Sequence, residues 1–197
     1  MGKVTHISTP NEIKIASRLS AKRAKVFLES RCYIRNALSS LFNIKPLEIH
    51  LKANPGKPPI LPRGMGNISI SHCENAFIIC WYHKKIGIDI ERSNRNFNYQ
   101  SLSEKYFNQK NIHKSNLNRY EVLKRWCATE AAIKWDRGSL SKDLKVWKYE
   151  KFENQIYNTN KKLKINLDQF AFEEWTISIA YKNEKLINHS KIICCDL

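Results

Sequence analysis

Two carboxylates stand two residues apart in the pentapeptide Gly87-Ile88-Asp89-Ile90-Glu91. This segment is predicted to be a strand, where side chains two residues apart point to the same face. Asp89 and Glu91 would then repel each other unless a cation binds between them. Because all-oxygen ligands favour a hard ion, the pattern indicates Mg²⁺ rather than Zn²⁺. The alternative is a solvated strand end with exposed acids.

A second set of chemically active side chains lies in residues 126–134, Trp-Cys-Ala-Thr-Glu-Ala-Ala-Ile-Lys. Glu130 and Lys134 are four residues apart, so on a helix they share a face. Taken alone, this is an ordinary surface ion pair worth at most about 0.5 kcal/mol. Three small residues leave the helix open to something that packs against it: Ala128, Ala131 and Ala132.

A strand and a helix must position these acids, and the sequence predicts both. Ile86–Glu91 is predicted to be a short strand. Residues 117–136 are predicted to form a long helix that Gly138 stops. The segment between them, residues 93–116, is rich in Asn, Ser and Lys and is predicted to be an irregular or short-helical connector.

The chain before the acids is predicted to contain one long amphipathic helix at residues 19–43, capped by Ser20 and ended near Pro46. A loop rich in Pro and Gly follows at residues 53–66. Then come a strand, a turn and a second strand: Asn67–Ser71, Cys73–Asn75 and Ala76–Tyr82.

The last third of the chain is predicted to be strands, and its clearest pattern is the alternation of Trp175, Ile177, Ile179 and Tyr181. The predicted strands are Lys145–Phe152, Gln155–Tyr157, Lys162–Leu167, Trp175–Lys182 and Lys191–Cys195. A long helix followed by a strand pair occurs in each half. We therefore predict the α+β class, interpreted as a duplicated unit with subdomains at residues 1–86 and 87–197.

The composition is that of a folded and strongly basic protein, with 197 residues, 42% hydrophobic residues and a net charge of +16. Such a surface attracts polyanions, so nucleic acid, a phosphate-rich cofactor and an acidic protein are all candidate partners. No apolar stretch approaches the roughly 20 residues needed to cross a bilayer. The start also lacks the apolar run of a signal peptide, so we expect a cytoplasmic protein.

Six cysteines are scattered without a Cys-x-x-Cys pair. In a reducing compartment they are expected to be small buried hydrophobic residues. A zinc site is the alternative, although the spacing of known structural zinc sites is missing. Its ligands would be His72, Cys73, Cys194 and Cys195.

Taken together and in this order, the two acidic segments resemble the signature of the 4′-phosphopantetheinyl transferases. That signature is Gly-(Ile/Val)-Asp-x-Glu, followed by Trp or Phe, a small residue, any residue and Lys-Glu-x-x-x-Lys. The first half matches throughout. The second half matches at Trp126, Cys127, Glu130 and Lys134, and departs at Thr129, where the family usually has Lys.

Three further segments are similar to motifs of this family, so the resemblance covers roughly residues 20–135. Pro55-Gly56-Lys57-Pro58 resembles its Gly-Lys/Arg-Pro loop. Ile68–Cys73 resembles its Ser-His strand end. Lys22-Arg23, with Phe27-Leu28 and Arg31, is similar to a helix in the branch that activates siderophore synthetases.

The resemblance implies a pseudo-duplicated fold of two subdomains, each with a long helix packed on a small antiparallel sheet, and an active site at their seam. It implies an enzyme that transfers the 4′-phosphopantetheine arm of coenzyme A to a serine of an acyl or peptidyl carrier protein. Mg²⁺, or Mn²⁺ in its place, is the implied metal. Such carriers are acidic, which would suit the basic surface. A monomer is implied, with neither nucleic acid nor a membrane as partner.

The resemblance also implies roles for individual residues. Asp89, Glu91 and Glu130 would hold the metal ion, and Lys134 would contact the pyrophosphate. The catalytic residues would be Glu130, Lys134 and Asp89. The coenzyme A site would comprise Lys22, Arg23, Arg31, Lys57, Pro58, Ser71, His72, Asp89 and Lys134.

Two departures from the family pattern leave the proton acceptor open. Tyr106-Phe107 matches an aromatic pair that precedes a Glu in some members, but Asn108–His113 contains no acid, and Thr129 replaces the usual Lys. Glu130 or a water on the metal would then accept the proton. The alternative is a homologue that binds coenzyme A or a carrier without turnover.

A basic nucleic-acid-binding domain is the remaining alternative. It is suggested by the charge and by aromatic residues such as Tyr82 and Trp135. It has no recognisable nucleic-acid motif, and it leaves the acidic residues without a role.

Overall fold

The computed structural model describes residues 7–52, 58–74, 76–107, 118–150 and 153–182. Over these residues the chain is of the mixed α+β class, as predicted, with five α-helices and two antiparallel sheets. It divides into two compact units, Met1–Ile68 and Ser69–Leu197. The predicted subdomain boundary between residues 86 and 87 stays a prediction. Within the described ranges, no helix is both long enough and apolar enough to cross a membrane.

The first helix, α1, spans Pro10–Ala16, and no sequence pattern above predicts it. A capping box starts it, because the Thr9 hydroxyl accepts from the Glu12 amide at 3.3 Å and the Glu12 carboxylate accepts from the Thr9 amide at 2.8 Å. Arg35 then donates to both oxygens of Glu12, at 2.8 and 2.9 Å, in a buried ion pair. This bidentate pair holds α1 against the next helix.

The second helix, α2, spans Ala21–Phe42, close to the predicted limits. Ser20 occupies the N-cap position, as predicted, although its side chain makes no capping hydrogen bond. Asn43, in the left-handed region with φ of 53°, ends the helix before Pro46 is reached. A short 3₁₀ turn follows at Pro46–Glu48.

The part of the chain that the structure describes contains seven strands after this turn: β1 Asn67–Cys73, β2 Ala76–Tyr82, β3 Ile86–Arg92, β4 Trp147–Glu150, β5 Gln155–Asn158, β6 Leu163–Phe172 and β7 Trp175–Tyr181. Strands β1 and β2 form a two-stranded sheet. The other five form one antiparallel sheet in the order β3-β7-β6-β5-β4. The predicted strand Lys191–Cys195 lies outside the described residues.

The remaining helices belong to the second unit: α3 Tyr99–Leu102, α4 Arg119–Asp136 and α5 Leu140–Asp143, with a π-helical turn at Ser103–Phe107 between the first two. The Asn118 side chain caps α4 by accepting from the Glu121 amide at 2.9 Å. Arg137, with φ of 56°, ends α4 one residue before the predicted stop at Gly138. The short-helical connector is confirmed for residues 99–107, whereas residues 108–117 lie outside the described ranges.

Side chains alternate between the two faces of the five-stranded sheet, and each face packs against a different element. On one face α4 packs its alanines in a core that includes Ala128, Ala131, Ala132, Ile165, Leu167 and Ala180. On the other face lie Ile86, Ile88, Ile90, Ile177 and Ile179, with side chains of β2 packed against them. The odd-numbered residues of β3, among them both acids, therefore face α4.

Candidate metal centre

Strand β3 and helix α4 bring together three carboxylates, those of Asp89, Glu91 and Glu130. One oxygen from each lies within 4.8 Å of the others. Asp89 is 2% exposed and Glu91 is 7% exposed, so the alternative of a solvated strand end is wrong. Among the described residues, this is the one group of three or more His, Cys, Asp or Glu side chains with such spacing.

The two oxygens of Asp89 have different surroundings. Oδ1 accepts from the Ser71 hydroxyl and from the Lys134 ammonium, both at 2.7 Å. Oδ2 is buried and has no hydrogen-bond partner among the described residues. A buried carboxylate oxygen without a partner is costly, and a bound cation would compensate it.

Glu91 is held at both of its oxygens. The Trp126 indole nitrogen donates to Oε1 at 3.0 Å, and the Arg95 guanidinium donates to Oε2 at 2.7 Å. The Cys73 thiol lies 3.6 Å from the same Oε2. No sequence pattern identified Arg95 as a partner of Glu91. Its place four residues after Glu91 is only a weak indication of an ion pair.

Glu130 is the least supported of the three acids. Its nearest cation is the Lys134 ammonium at 3.9 Å. Burial and the neighbouring charges of Asp89 and Glu91 raise the pKa of Glu130 to about 7, although Lys134 and Arg95 oppose this. Burial likewise raises the pKa of Asp89, with Lys134 and Ser71 opposing.

These features fit a magnesium ion. All candidate ligands are carboxylate oxygens, and one of these oxygens has no partner. When all three carboxylates are ionised, as they would be around a metal ion, they exceed the two neighbouring cations, Lys134 and Arg95, by one negative charge. Zn²⁺ would favour nitrogen and sulfur ligands instead.

A stripe along α4 explains how the helix supplies its part of the site. Trp126, Glu130 and Lys134 follow one another at four-residue steps and so share a face. Trp126 reaches Glu91 at one end of the stripe, and Lys134 reaches Asp89 at the other. Glu130, between them, is directed at the gap between the two strand acids.

Gly87 allows this close approach of helix and strand. A Cβ at this position would overlap the carbonyl oxygen of Ala131 and the amide nitrogen of Trp135, and would lie 2.9 Å from the Trp135 Cβ. The absence of a side chain at Gly87 therefore lets the backbone of α4 approach β3. The small alanines serve the same packing, so the helix face that they leave open is filled by the protein's own sheet.

The raised pKa of Glu130 predicts a pH-dependent stability in metal-free protein. Between its ordinary value of 4.5 and about 7, the folded state holds this proton more tightly than the unfolded state. The free energy of unfolding should therefore fall as pH rises through this window, by up to about 3 kcal/mol, and this contribution should level off above it. Urea unfolding with EDTA, measured from pH 4.5 to 8, checks this.

Glu130→Gln should remove most of this decline, whereas Glu104→Gln, on an exposed side chain, should leave it intact. Excess Mg²⁺ should also abolish the decline in the wild type, because it favours the ionised carboxylate. If the free energy of unfolding fell equally with pH in the wild type and in Glu130→Gln, both in EDTA, the raised pKa would not belong to Glu130.

Ser71 and His72 were both predicted to contact coenzyme A, but adjacent residues of a strand face opposite ways. Ser71 is buried and bridges the site, since it donates to Asp89 and accepts from Lys134 at 2.8 Å. His72 is exposed and makes no described contact with the acids. Of this pair, the structure brings only Ser71 to the carboxylates.

The residues of the first unit that were predicted to bind coenzyme A have different environments. Lys22 and Arg23 are exposed at the start of α2, and Pro58 is exposed. Arg31 is buried, with its guanidinium 4.4 Å from the Phe27 ring and its Nε without a hydrogen-bond partner in the described part of the chain. Lys57 lies outside the described residues. Their role towards coenzyme A stays a prediction.

Thr129, at the place where the family usually has Lys, does not reach the acids. It is buried, and its hydroxyl donates to the Arg125 carbonyl at 2.8 Å, one turn earlier in the helix. The region in which a second acid would be sought, Asn108–His113, lies outside the described residues.

The structure bears differently on the two alternatives, a zinc site and nucleic-acid binding. Cys194 and Cys195 lie outside the described residues, so the zinc alternative stays open. Trp135 is buried, with its indole nitrogen donating to the Lys85 carbonyl at 3.1 Å, and Tyr82 packs beside the isoleucine face of the sheet. Trp135 is therefore not available for stacking with a nucleic-acid base, whereas Tyr82 is half-buried.

Comparison with known proteins found no family model and no curated protein that matches this chain.

Proposed function

We propose that this protein is a Mg²⁺-dependent 4′-phosphopantetheinyl transferase that moves the phosphopantetheine arm of coenzyme A to a serine of a carrier protein. The observation that carries the proposal is the buried triad Asp89, Glu91 and Glu130, bordered by Lys134. The family signature places these four residue types in this order. The folded chain brings oxygens of the three carboxylates within 4.8 Å of one another, with Lys134 paired to Asp89.

The three carboxylates would hold Mg²⁺, or Mn²⁺ in its place. When bound, the ion supplies neutralisation of the charge that builds on the bridging phosphates. Lys134 uses two of its three donors on Ser71 and Asp89. Its third donor stays available for a pyrophosphate oxygen, which is the role the signature assigns to it.

In the transfer itself, the carrier's serine oxygen attacks the phosphorus that bears the pantetheine arm. The bond from that phosphorus to the bridging oxygen breaks, and adenosine 3′,5′-bisphosphate leaves. Glu130 would accept the serine proton, because it lies in the triad and its only described cation contact is the long one to Lys134.

Other parts of the proposal rest on the resemblance alone. These are the pseudo-duplicated fold, the monomeric state, the cytoplasmic location and the binding of coenzyme A by Lys22, Arg23, Arg31, Lys57, Pro58 and His72. An acidic carrier as partner is supported by the net charge of +16, which would speed the encounter at low salt.

Incubation with coenzyme A, Mg²⁺ and apo carrier proteins of the fatty-acid, polyketide and peptide types tests the proposal. Intact-protein mass spectrometry should detect the gain of one phosphopantetheine arm on a carrier serine. EDTA should prevent this gain, and a carrier with that serine changed to Ala should show none. Failure to modify any of the three carrier types would refute the transferase.

A homologue that binds coenzyme A without turnover is the second candidate, and Thr129 favours it. The buried Thr129 hydroxyl bonds to its own helix, so the side chain at this position offers no cation to the site. Saturable, Mg²⁺-dependent binding of coenzyme A without any carrier modification would select this candidate.

A further inference from the structure

Glu91 differs from the other two acids in how tightly its carboxylate is oriented. Both oxygens accept a hydrogen bond, one from Trp126 and one from Arg95. Among the described residues, Asp89 is held at one oxygen only, and the one cation near Glu130 is Lys134 at 3.9 Å. The orientation of Glu91 is therefore set before any ion arrives.

The two donors to Glu91 are not equally suited to fix it. Arg95 is 43% exposed and lies after the end of β3, so water competes with its hydrogen bond. Trp126 belongs to α4, packs against the core beneath the sheet and meets Tyr106 edge-on at a ring distance of 6.3 Å. Its indole nitrogen is consequently held in place by packing on several sides.

Each oxygen of a carboxylate has two lone pairs, so a donor at one of them leaves another for a metal ion. A hydrogen bond from a neutral donor to a carboxylate also costs the ligand little negative charge. Such bonds orient metal-binding carboxylates, and their loss typically weakens metal binding about 10- to 100-fold.

We propose that Trp126 is a positioning residue of the metal centre, whose indole N–H sets the orientation of Glu91 towards Asp89 and Glu130. This inference rests on the proposed metal site. It assigns Trp126 a role through Glu91, since the indole itself does not bind the ion.

The same helix offers a matched control. Trp135 also donates its indole N–H to an oxygen, but its acceptor is the backbone carbonyl of Lys85. Changing either Trp to Phe removes one indole hydrogen bond from α4 and keeps an aromatic ring. The phenyl ring keeps most of the apolar contacts of the indole, so this variant is expected to fold.

Mn²⁺ binding, followed by the loss of the free-ion electron paramagnetic resonance signal, tests the proposal on the intact chain without coenzyme A. Trp126→Phe should raise the dissociation constant about tenfold. Trp135→Phe should leave it within about twofold, even though both variants should lose similar thermal stability.

Nuclear magnetic resonance of the wild type supplies a second measurement that needs no variant. The indole N–H resonance of Trp126 should shift when Mg²⁺ is added, while that of Trp135 should not. If Mn²⁺ binds to the wild type and to Trp126→Phe equally, the positioning role is refuted and the metal site stands. If Trp126→Phe does not fold, an unmoved Trp126 resonance at saturating Mg²⁺ refutes the role. If the wild type binds no metal, both proposals fail.

Discussion

Asp89→Asn should weaken Mg²⁺ binding by roughly 100-fold or more and reduce transfer to the carrier by about a thousandfold. The amide keeps the shape of the side chain and one oxygen that can still accept from Ser71 and Lys134. It replaces Oδ2, which has no hydrogen-bond partner among the described residues, by an amide nitrogen that cannot bind a cation. Calorimetric titration with Mg²⁺ and initial rates of carrier modification measure the two effects.

The same substitution should leave the fold intact. Because burial raises the pKa of Asp89, its charge opposes folding in metal-free protein, and the variant should unfold in urea no earlier than the wild type. Asp168→Asn is the control. Asp168 lies on β6 and accepts from the Tyr181 hydroxyl at 3.1 Å, away from the helix face of the sheet. Full activity in Asp89→Asn, or equal losses in both variants, would refute the metal assignment.

The spacing of apolar residues predicted those helices and strands that depend only on residues close together in the sequence. The alternation from Trp175 to Tyr181 gives β7, and the limits of α2 and α4 fall within a few residues of the predicted ones. Helix α1 could not be predicted in this way. It has only seven residues, and its place depends on the ion pair between Glu12 and Arg35, whose partners are far apart in sequence.

Spacing also predicted which acids share a face, because period two on β3 and period four on α4 are local rules. Burial was not predictable from the pentapeptide, since it depends on α4 covering the strand. The same is true of the environment of Glu91. Its hydrogen bond from Trp126 joins residues 35 positions apart, which no local pattern relates.

The alternation of side chains along β1 separates two residues that the predicted coenzyme A site placed together. Ser71 and His72 were assigned together because they are adjacent in the family motif. On β1 they face opposite ways, and only Ser71 meets Asp89. The period-two geometry of a strand is enough to separate the two residues, because it depends on their positions in the sequence alone.

Gly87→Ala should destabilise the second unit by about 3 kcal/mol or more. The new methyl group would overlap the backbone of α4 at Ala131 and Trp135, and backbone cannot turn aside as a side chain can. The helix would have to move away from β3, which also separates Glu130 from Asp89 and Glu91. Urea unfolding should show the loss of stability, and Mn²⁺ titration of the folded fraction should show weaker binding.

Gly138→Ala is the matched control, because its methyl group would meet chiefly the Asp143 carboxylate, the end of a side chain that can rotate. This variant should lose about 1 kcal/mol or less and keep its metal affinity. If Gly87→Ala were as stable as the control and bound Mn²⁺ like the wild type, α4 could not lie as close to β3 as the triad requires. The acids would then be too far apart to share one ion. The substitution therefore tests both the close packing of α4 on Gly87 and the binding of one metal ion by the three acids.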